Sequence, residues 1–122
     1  FGFLVWLAGF IIEVVADNQK KKFKEDLNNK DKFISQGLWA WSRHPNYFGE
    51  ILLWVGITII AIPIFKNWDY LALISPIFIY YLLVNVSGLP MLEKAADQKW
   101  GNNEDYISYK DKTNILFLKK PD

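Results

Sequence analysis

The chain has 122 residues, enough for a single domain, and its 14 Lys+Arg and 13 Asp+Glu leave a net charge of +1. That balance argues against a dedicated nucleic-acid binder, and the absence of Cys excludes disulfide frameworks, Cys-based zinc sites and thiol catalysis. With 52% hydrophobic and 17% aromatic residues the chain is too apolar to be disordered.

The charges are segregated. Phe1–Ala16 carries Glu13 alone, and Ile51–Phe65 and Tyr70–Leu89 carry none. Polar residues crowd into Asp17–Arg43 and Met91–Asp122. That block pattern belongs to a membrane protein rather than to a water-soluble core. The expected fold is all-α: a polytopic integral membrane helix bundle with about three membrane helices.

Segment one, Phe1–Ala16, is shorter than the roughly 20 apolar residues a span needs. It opens inside an apolar run with no initiator Met. The expectation is a single membrane domain, residues 1–122, that forms the C-terminal half of a longer protein and packs against that protein's N-terminal helices. Phe23 and Leu27 keep a helical spacing, so the first helix is expected to run past the membrane surface to about Leu27. Asn28–Lys32 reads as a loop. Phe33–Ser42, with Trp39 and Trp41, suits a segment at the membrane interface.

Pro45 opens segment two, because proline at the first helical position loses an N–H that has no partner there. The helix is predicted from Asn46 to about Ile62, with Pro63 near its end. Lys66–Asp69 reads as a tight, wet turn. Segment three runs from Tyr70 to about Leu89, contains Pro76, and is expected to close at Ser87-Gly88-Leu89-Pro90. Met91–Trp100 reads as an amphipathic helix, Gly101-Asn102-Asn103 as a break, and Tyr106–Lys112 as a short polar helix. Ile115–Leu118 is a brief apolar patch before Lys119 and Lys120.

The Asp17–Arg43 stretch has seven Lys+Arg, Met91–Asp122 has six, and the Lys66–Asp69 turn has one. Two passes separate the two basic regions, so both fall on one side, which the positive-inside rule makes cytoplasmic.

The strongest local signal is Ser42-Arg43-His44-Pro45-Asn46-Tyr47-Phe48-Gly49-Glu50, which holds the only Arg and the only His of the chain. It sits where a loop enters a membrane helix, and a helix N-terminus offers free N–H groups and a positive dipole to an anion. Arg43 adds a forked donor for phosphate or carboxylate. Asn46 and Glu50 share a face, and Glu50 is an ionisable group one turn into an apolar segment. A plainer reading makes Arg43 a positive-inside anchor, His44 a cap and Glu50 a paired or snorkelling residue. Glu13 and Asp17 share a face of the first helix, continued by Lys20, Lys21 and Lys24. That set suits ribose hydroxyls and phosphates, or else is an ordinary charged juxtamembrane helix. In the tail, Glu93, Lys94, Tyr106, Tyr109, Lys110 and Lys112 either close over a nucleotide or form a solvated surface. One His and no Cys leave few ligands for a metal.

The run Gly37-Leu38-Trp39-Ala40-Trp41-Ser42-Arg43-His44-Pro45-Asn46-Tyr47-Phe48-Gly49-Glu50 resembles the signature of the steroid 5-alpha-reductase C-terminal domain, in its bacterial branch. Glu13–Gln19 with Phe23, Val86–Glu93 and the Tyr106, Tyr109, Thr113 tail match in order and spacing. The resemblance implies an integral membrane oxidoreductase that uses NADPH to reduce a carbon–carbon double bond, often conjugated to a ketone, in a steroid-like or lipid-like hydrophobic substrate. It implies that Asn46 and Glu50 hold the nicotinamide and that Asp17, with Glu13, contacts the cofactor from the first helix. Lys24 and Lys110 fall where the family places basic residues for the phosphates, often Arg. Arg43, His44, Tyr47 and Tyr109 belong to the matched motifs. The proton donor and steroid pocket of that family lie in N-terminal helices, so no residue here is assigned as the catalytic acid. The Arg-His-Pro-x-Tyr core is also similar to that of the isoprenylcysteine carboxyl methyltransferases, which use S-adenosylmethionine. A third reading is a non-enzymatic helix bundle.

Overall fold

A computed structural model describes residues 1–86 and 88–121. Helix α1, Gly2–Glu25, has 24 residues, about 36 Å at 1.5 Å per residue, more than the roughly 30 Å of a hydrocarbon core. Lys22 and Lys24 in its last turn complement the helix dipole. Asp26 ends it and accepts a hydrogen bond from the Asn28 amide at 2.9 Å. Helix α2, Pro45–Ala61, begins with Pro45 as expected, and a tight turn over Ile62–Ile64 that contains Pro63 extends it.

These two helices run antiparallel and pack through their smallest residues. The buried residues of α1 are Gly2, Gly9 and Ala16, each seven apart. Those of α2 are Pro45, Gly49 and Gly56. A Cβ on Gly9 would strike the Leu53 amide and the Gly49 carbonyl, and one on Gly49 would lie 2.7 Å from the Gly9 carbonyl oxygen and from the Glu13 amide. Backbone therefore meets backbone. Helices in lipid lack a hydrophobic driving force toward each other and associate through such close approach. The large apolar side chains point the other way: Phe3, Leu4, Phe10 and Ile11 on α1 and Ile57 and Ile60 on α2 are exposed.

The third apolar run starts at Lys66. Asn67 takes a left-handed φ of 49°, which Asn tolerates better than most residues, and the Asp69 carboxylate accepts from the Lys66 amide at 3.1 Å. A tight helical stretch, Asn67–Leu73, leads into α3, Ile74–Tyr81. Pro76 falls in the first turn of α3, where a missing N–H costs little, so it does not interrupt a helix interior. A π-helical turn covers Leu82–Val86. Helix α4 then spans Gly88–Trp100. The expected closure at Ser87–Pro90 is corrected here: Gly88, Leu89 and Pro90 open α4, and Ser87 lies outside the described residues. Proline in a first turn is compatible with helix and does not end it. Asn103 caps α5, Glu104–Lys112, its side chain accepting from the amides of Asp105 and Tyr106 at 2.8 and 3.2 Å.

The fold is all-helical, and three stretches, Gly2–Glu25, Pro45–Ile64 and Asn67–Trp100, are long and apolar enough to cross a membrane. The polar parts gather at one end. The 26–44 connection, α4, α5 and the tail form a cap over the α1 C-terminus and the α2 N-terminus. Trp39 belongs to its core, not to a membrane interface: it is 3% exposed and clusters with Ala16 and Ile34. Its indole N–H donates to the Ala16 carbonyl at 3.0 Å. Gly37, at φ 62°, lets the turn approach Gln19, whose side chain accepts from the Leu38 amide at 3.0 Å.

Gly49→Leu should force α1 and α2 apart and cost about 1–3 kcal/mol, read as a lower thermal midpoint in detergent. Ile11→Ala, on the outward face, should stay within about 0.5 kcal/mol. An unchanged midpoint for Gly49→Leu would mean the helices do not pack along this seam.

Candidate functional site

The polar candidates divide into two adjoining groups, joined by Arg43 and His44. The first lies on the α1–α2 seam. Asn46 donates from Nδ2 to Asp17 Oδ1 at 3.2 Å. A carboxylate only accepts, so the amide nitrogen must face Asp17, and this leaves Oδ1 of Asn46 turned away. That oxygen is buried and has no hydrogen-bond partner among the described residues. One turn further, Glu50 on α2 and Glu13 on α1 are close enough to act on each other electrostatically. Gly49 permits this, because the Glu13 backbone occupies the space a side chain there would need. Tyr47 stacks on His44 with ring centroids 6.0 Å apart, and Gly88 of α4 makes room for its ring.

The second group is built on Glu93. Its Oε1 lies 2.8 Å from Arg43 Nη1 and 3.2 Å from His44 Nε2, and all three side chains are under 20% exposed. This ties the residues that lead into α2 to α4. The Arg43 contact is an ion pair without hydrogen-bond geometry, and Arg43 Nε and Nη1 are buried with no hydrogen-bond acceptor among the described residues. Buried donors and acceptors normally find partners. Two such residues side by side at the mouth of one helix are the polar sockets of the site.

Beside Arg43 opens a cleft of about 270 Å³. Phe23, Phe33, Trp39, Trp100 and Tyr109 supply an apolar, aromatic lining, and Lys20, Lys24, Lys32 and Lys99 contribute cationic chains. Lys20 sits over the Trp39 ring at 5.1 Å. Such a wall suits a flat ring bearing negative charge. Tyr109 donates its hydroxyl to the Trp39 carbonyl, and Phe33 packs among Trp100, Tyr106 and Tyr109.

Of the sequence-derived candidates, Glu13, Asp17, Asn46 and Glu50 meet on the seam, while Lys24, Arg43, His44 and Tyr109 line the cleft. Tyr47 stacks between seam and cap. Lys110 does not line the cleft; it pairs with Asp97 at 2.7 Å, a residue that also accepts from Tyr106 at 3.3 Å. Glu93 was one polar tail residue among several, and only its position against Arg43 and His44 marks it out. Lys32 and Lys99 reach the cleft through chain folding that no local pattern announces.

These features define a membrane-embedded helix bundle with a polar, ligand-sized site in its cap. Residues 1–113 match the family described as a protein of unknown function, DUF1295, and the chain belongs to that family. It is similar to a 3-oxo-5-alpha-steroid 4-dehydrogenase 1 of Macaca fascicularis, at 34% identity over 45% of this chain and 21% of that protein. A probable 7-dehydrocholesterol reductase of Acanthamoeba polyphaga mimivirus is 34% identical over 42% of this chain and 15% of that protein. A probable O-methyltransferase of Ustilaginoidea virens is 30% identical over 57% of this chain and 27% of that protein. The chain thus spans well under half the length of these relatives. No solved structure matches it significantly.

Burial makes both cap phenols harder to ionise: the Tyr106 pKa is pushed up to about 12, helped by the charges of Glu93 and Asp97, and that of Tyr109 is raised further. A phenol raised in the folded state favours folding while it stays protonated. Its contribution is therefore intact below the ordinary value near 10 and is lost as pH rises from there toward 12. Between pH 9 and 11.5 the native protein should lose thermal stability faster than the Tyr106→Phe/Tyr109→Phe double variant. Parallel curves would show that the phenols are not shielded.

Proposed function

We propose that this chain is the cofactor-binding part of a membrane-embedded reductase that uses NADPH to saturate a carbon–carbon double bond in a steroid-like or lipid-like enone, with its polar cap on the cytoplasmic side. The observation that carries the reading is the buried Asn46 Oδ1, which has no hydrogen-bond partner among the described residues while Asp17 takes the amide nitrogen. An acceptor so placed fits the carboxamide N–H₂ of a nicotinamide. The Arg43 guanidinium, whose Nε and Nη1 make no hydrogen bond among the described residues, and the cations of the adjoining cleft fit the phosphates, and the aromatic lining fits the adenine. Likeness to a 3-oxo-5-alpha-steroid 4-dehydrogenase and to a probable 7-dehydrocholesterol reductase supports the same reading.

When bound, NADPH supplies a hydride for the β-carbon of the enone, and the α-carbon takes a proton. This chain's residues bind and orient. Asp17 fixes the rotamer of the Asn46 amide. Glu93 keeps Arg43 and His44 at the mouth of α2, so the guanidinium does not stray into solvent. Glu13 and Glu50 place negative charge at the seam, where a ring that gains positive character on giving up hydride is stabilised. Lys20 and Lys24 meet phosphate charge. Lys110 reaches it only by leaving Asp97. Positioning of this kind is the protein's share of cofactor chemistry.

The second reading, an S-adenosylmethionine-dependent membrane methyltransferase, is favoured by the likeness to a probable O-methyltransferase. The lysine-rimmed cleft weighs against it, because the sulfonium of that cofactor is a cation, whereas NADPH is strongly anionic.

The test is a thermal titration of the whole protein in detergent. NADPH at a hundred times its dissociation constant should stabilise the fold by about 2.7 kcal/mol, and S-adenosylmethionine should not. A shift with S-adenosylmethionine alone overturns the reductase reading, and no shift with either in folded protein overturns both. Asn46→Ala should weaken NADPH about tenfold or more, the loss of one buried hydrogen bond worth roughly 1–3 kcal/mol. If Glu50→Gln leaves affinity and turnover within about twofold, the nicotinamide role of Glu50 is wrong.

A further inference from the structure

The polar cap has a second cleft, larger and of different character. It measures about 730 Å³ and lies on the other side of Phe33 and Tyr109, which line both. Lys32, Lys112, Lys119 and Lys120 surround it, with hydroxyls from Ser108 and Thr113. None of these four ammonium groups has an ion-pair or hydrogen-bond partner among the described residues, and each of the four lysines is exposed. Two carboxylates also border it. Asp31 is engaged by Lys99 at 3.7 Å, and Asp105 lies in the first turn of α5, so the cleft keeps a net positive charge.

The path of the tail fixes where this cleft sits. Residues 114–119 run as a strap along residues 41–43: the Arg43 amide donates to the Asn114 carbonyl at 2.8 Å, Ser42 Oγ to the Leu116 carbonyl at 2.7 Å, and the Lys119 amide to the Trp41 carbonyl at 2.9 Å. Leu116 is buried under the strap, whereas Ile115, Phe117 and Trp41 are exposed. Phe117 packs edge-on against Phe48, with ring centroids 5.8 Å apart, and Phe48 lies in the first turn of the membrane-spanning α2. The strap therefore lies at the level where α2 enters the bilayer, with apolar and indole side chains outward as in interfacial anchors. Lys119 ends the strap and Lys120 follows directly on it.

We propose that this cleft binds the phosphate headgroup of an anionic phospholipid from the surrounding leaflet. The lysines supply compact cations, Ser108 and Thr113 supply hydroxyl donors, and the outward Ile115, Phe117 and Trp41 lie beside the acyl chains of the same lipid. The proposal does not rest on the cofactor reading, although Lys32 borders both clefts.

The experiment reconstitutes the whole protein in nanodiscs of pure phosphatidylcholine or of phosphatidylcholine with phosphatidylglycerol. Bound lipid is then measured by native mass spectrometry after gentle release, together with the thermal midpoint. Phosphatidylglycerol should be retained preferentially and should raise the midpoint. Lys112→Gln/Lys119→Gln/Lys120→Gln should weaken that retention about fivefold per charge removed, the equivalent of roughly 1 kcal/mol for each lysine at an anionic surface. Lys66→Gln, in the turn at the other end of the bundle, should leave it unchanged. The midpoint of the triple variant in phosphatidylcholine alone reports on folding, and a native value there assigns the loss to the lipid. Equal retention of the two lipids, or retention untouched by the triple variant, overturns the proposal. A midpoint rise with inorganic phosphate in phosphatidylcholine nanodiscs, matching that with phosphatidylglycerol, overturns the lipid assignment in favour of a soluble anion.

Discussion

The close approach of α1 and α2 through Gly9, Gly49 and Gly56 is the constraint on which the rest of the structure depends. Apolar side chains cannot drive two helices together in lipid, since the acyl chains are as good a partner. Small residues seven apart permit backbone contact instead. Because the helices are antiparallel and this near, the polar end of one falls beside the polar start of the other. Asp17 then reaches Asn46 and Glu13 reaches the level of Glu50. With bulky residues at those positions, the same four side chains would stand on two separated helices and make no site.

The cap adds a second level of order. Its core is one indole, Trp39, hydrogen-bonded to the Ala16 carbonyl and accepting at its own carbonyl from Tyr109. Through these bonds α5 is attached to the end of α1, far away in sequence. Glu93 performs the corresponding service for α4 by engaging Arg43 and His44. A partly buried carboxylate set against a guanidinium and an imidazole is of modest value for stability. Its consequence is positional: it holds Arg43, whose Nε and Nη1 make no hydrogen bond among the described residues, at a cleft lined with aromatic rings and lysines. A buried group left unsatisfied in the folded protein is what a polar ligand can repay.

The two clefts divide the cap by chemistry. One is narrow and aromatic; the other is wide, hydroxylated and rimmed by lysines that have no ion-pair partner among the described residues. Phe33 and Tyr109 form the partition, and the burial that raises the Tyr109 phenol keeps that wall uncharged at ordinary pH.

Charge segregation by itself determined the membrane class, the three apolar runs and the shared side of the basic regions, because hydropathy over about 20 residues is a one-dimensional property. The Arg43–Glu50 motif was legible for the same reason: its spacing along one helix start is local. The pairing of Arg43 with Glu93, the withdrawal of Lys110 onto Asp97 and the burial of Trp39 were decided only by the tertiary structure. Each joins residues far apart along the chain, and whether a Trp beside a membrane segment meets lipid or a helix end depends on what folds over it. Even Pro90 illustrates the limit. A proline after an apolar run reads as an ending, yet in a first helical turn its missing N–H costs little, and the chain carries on as α4.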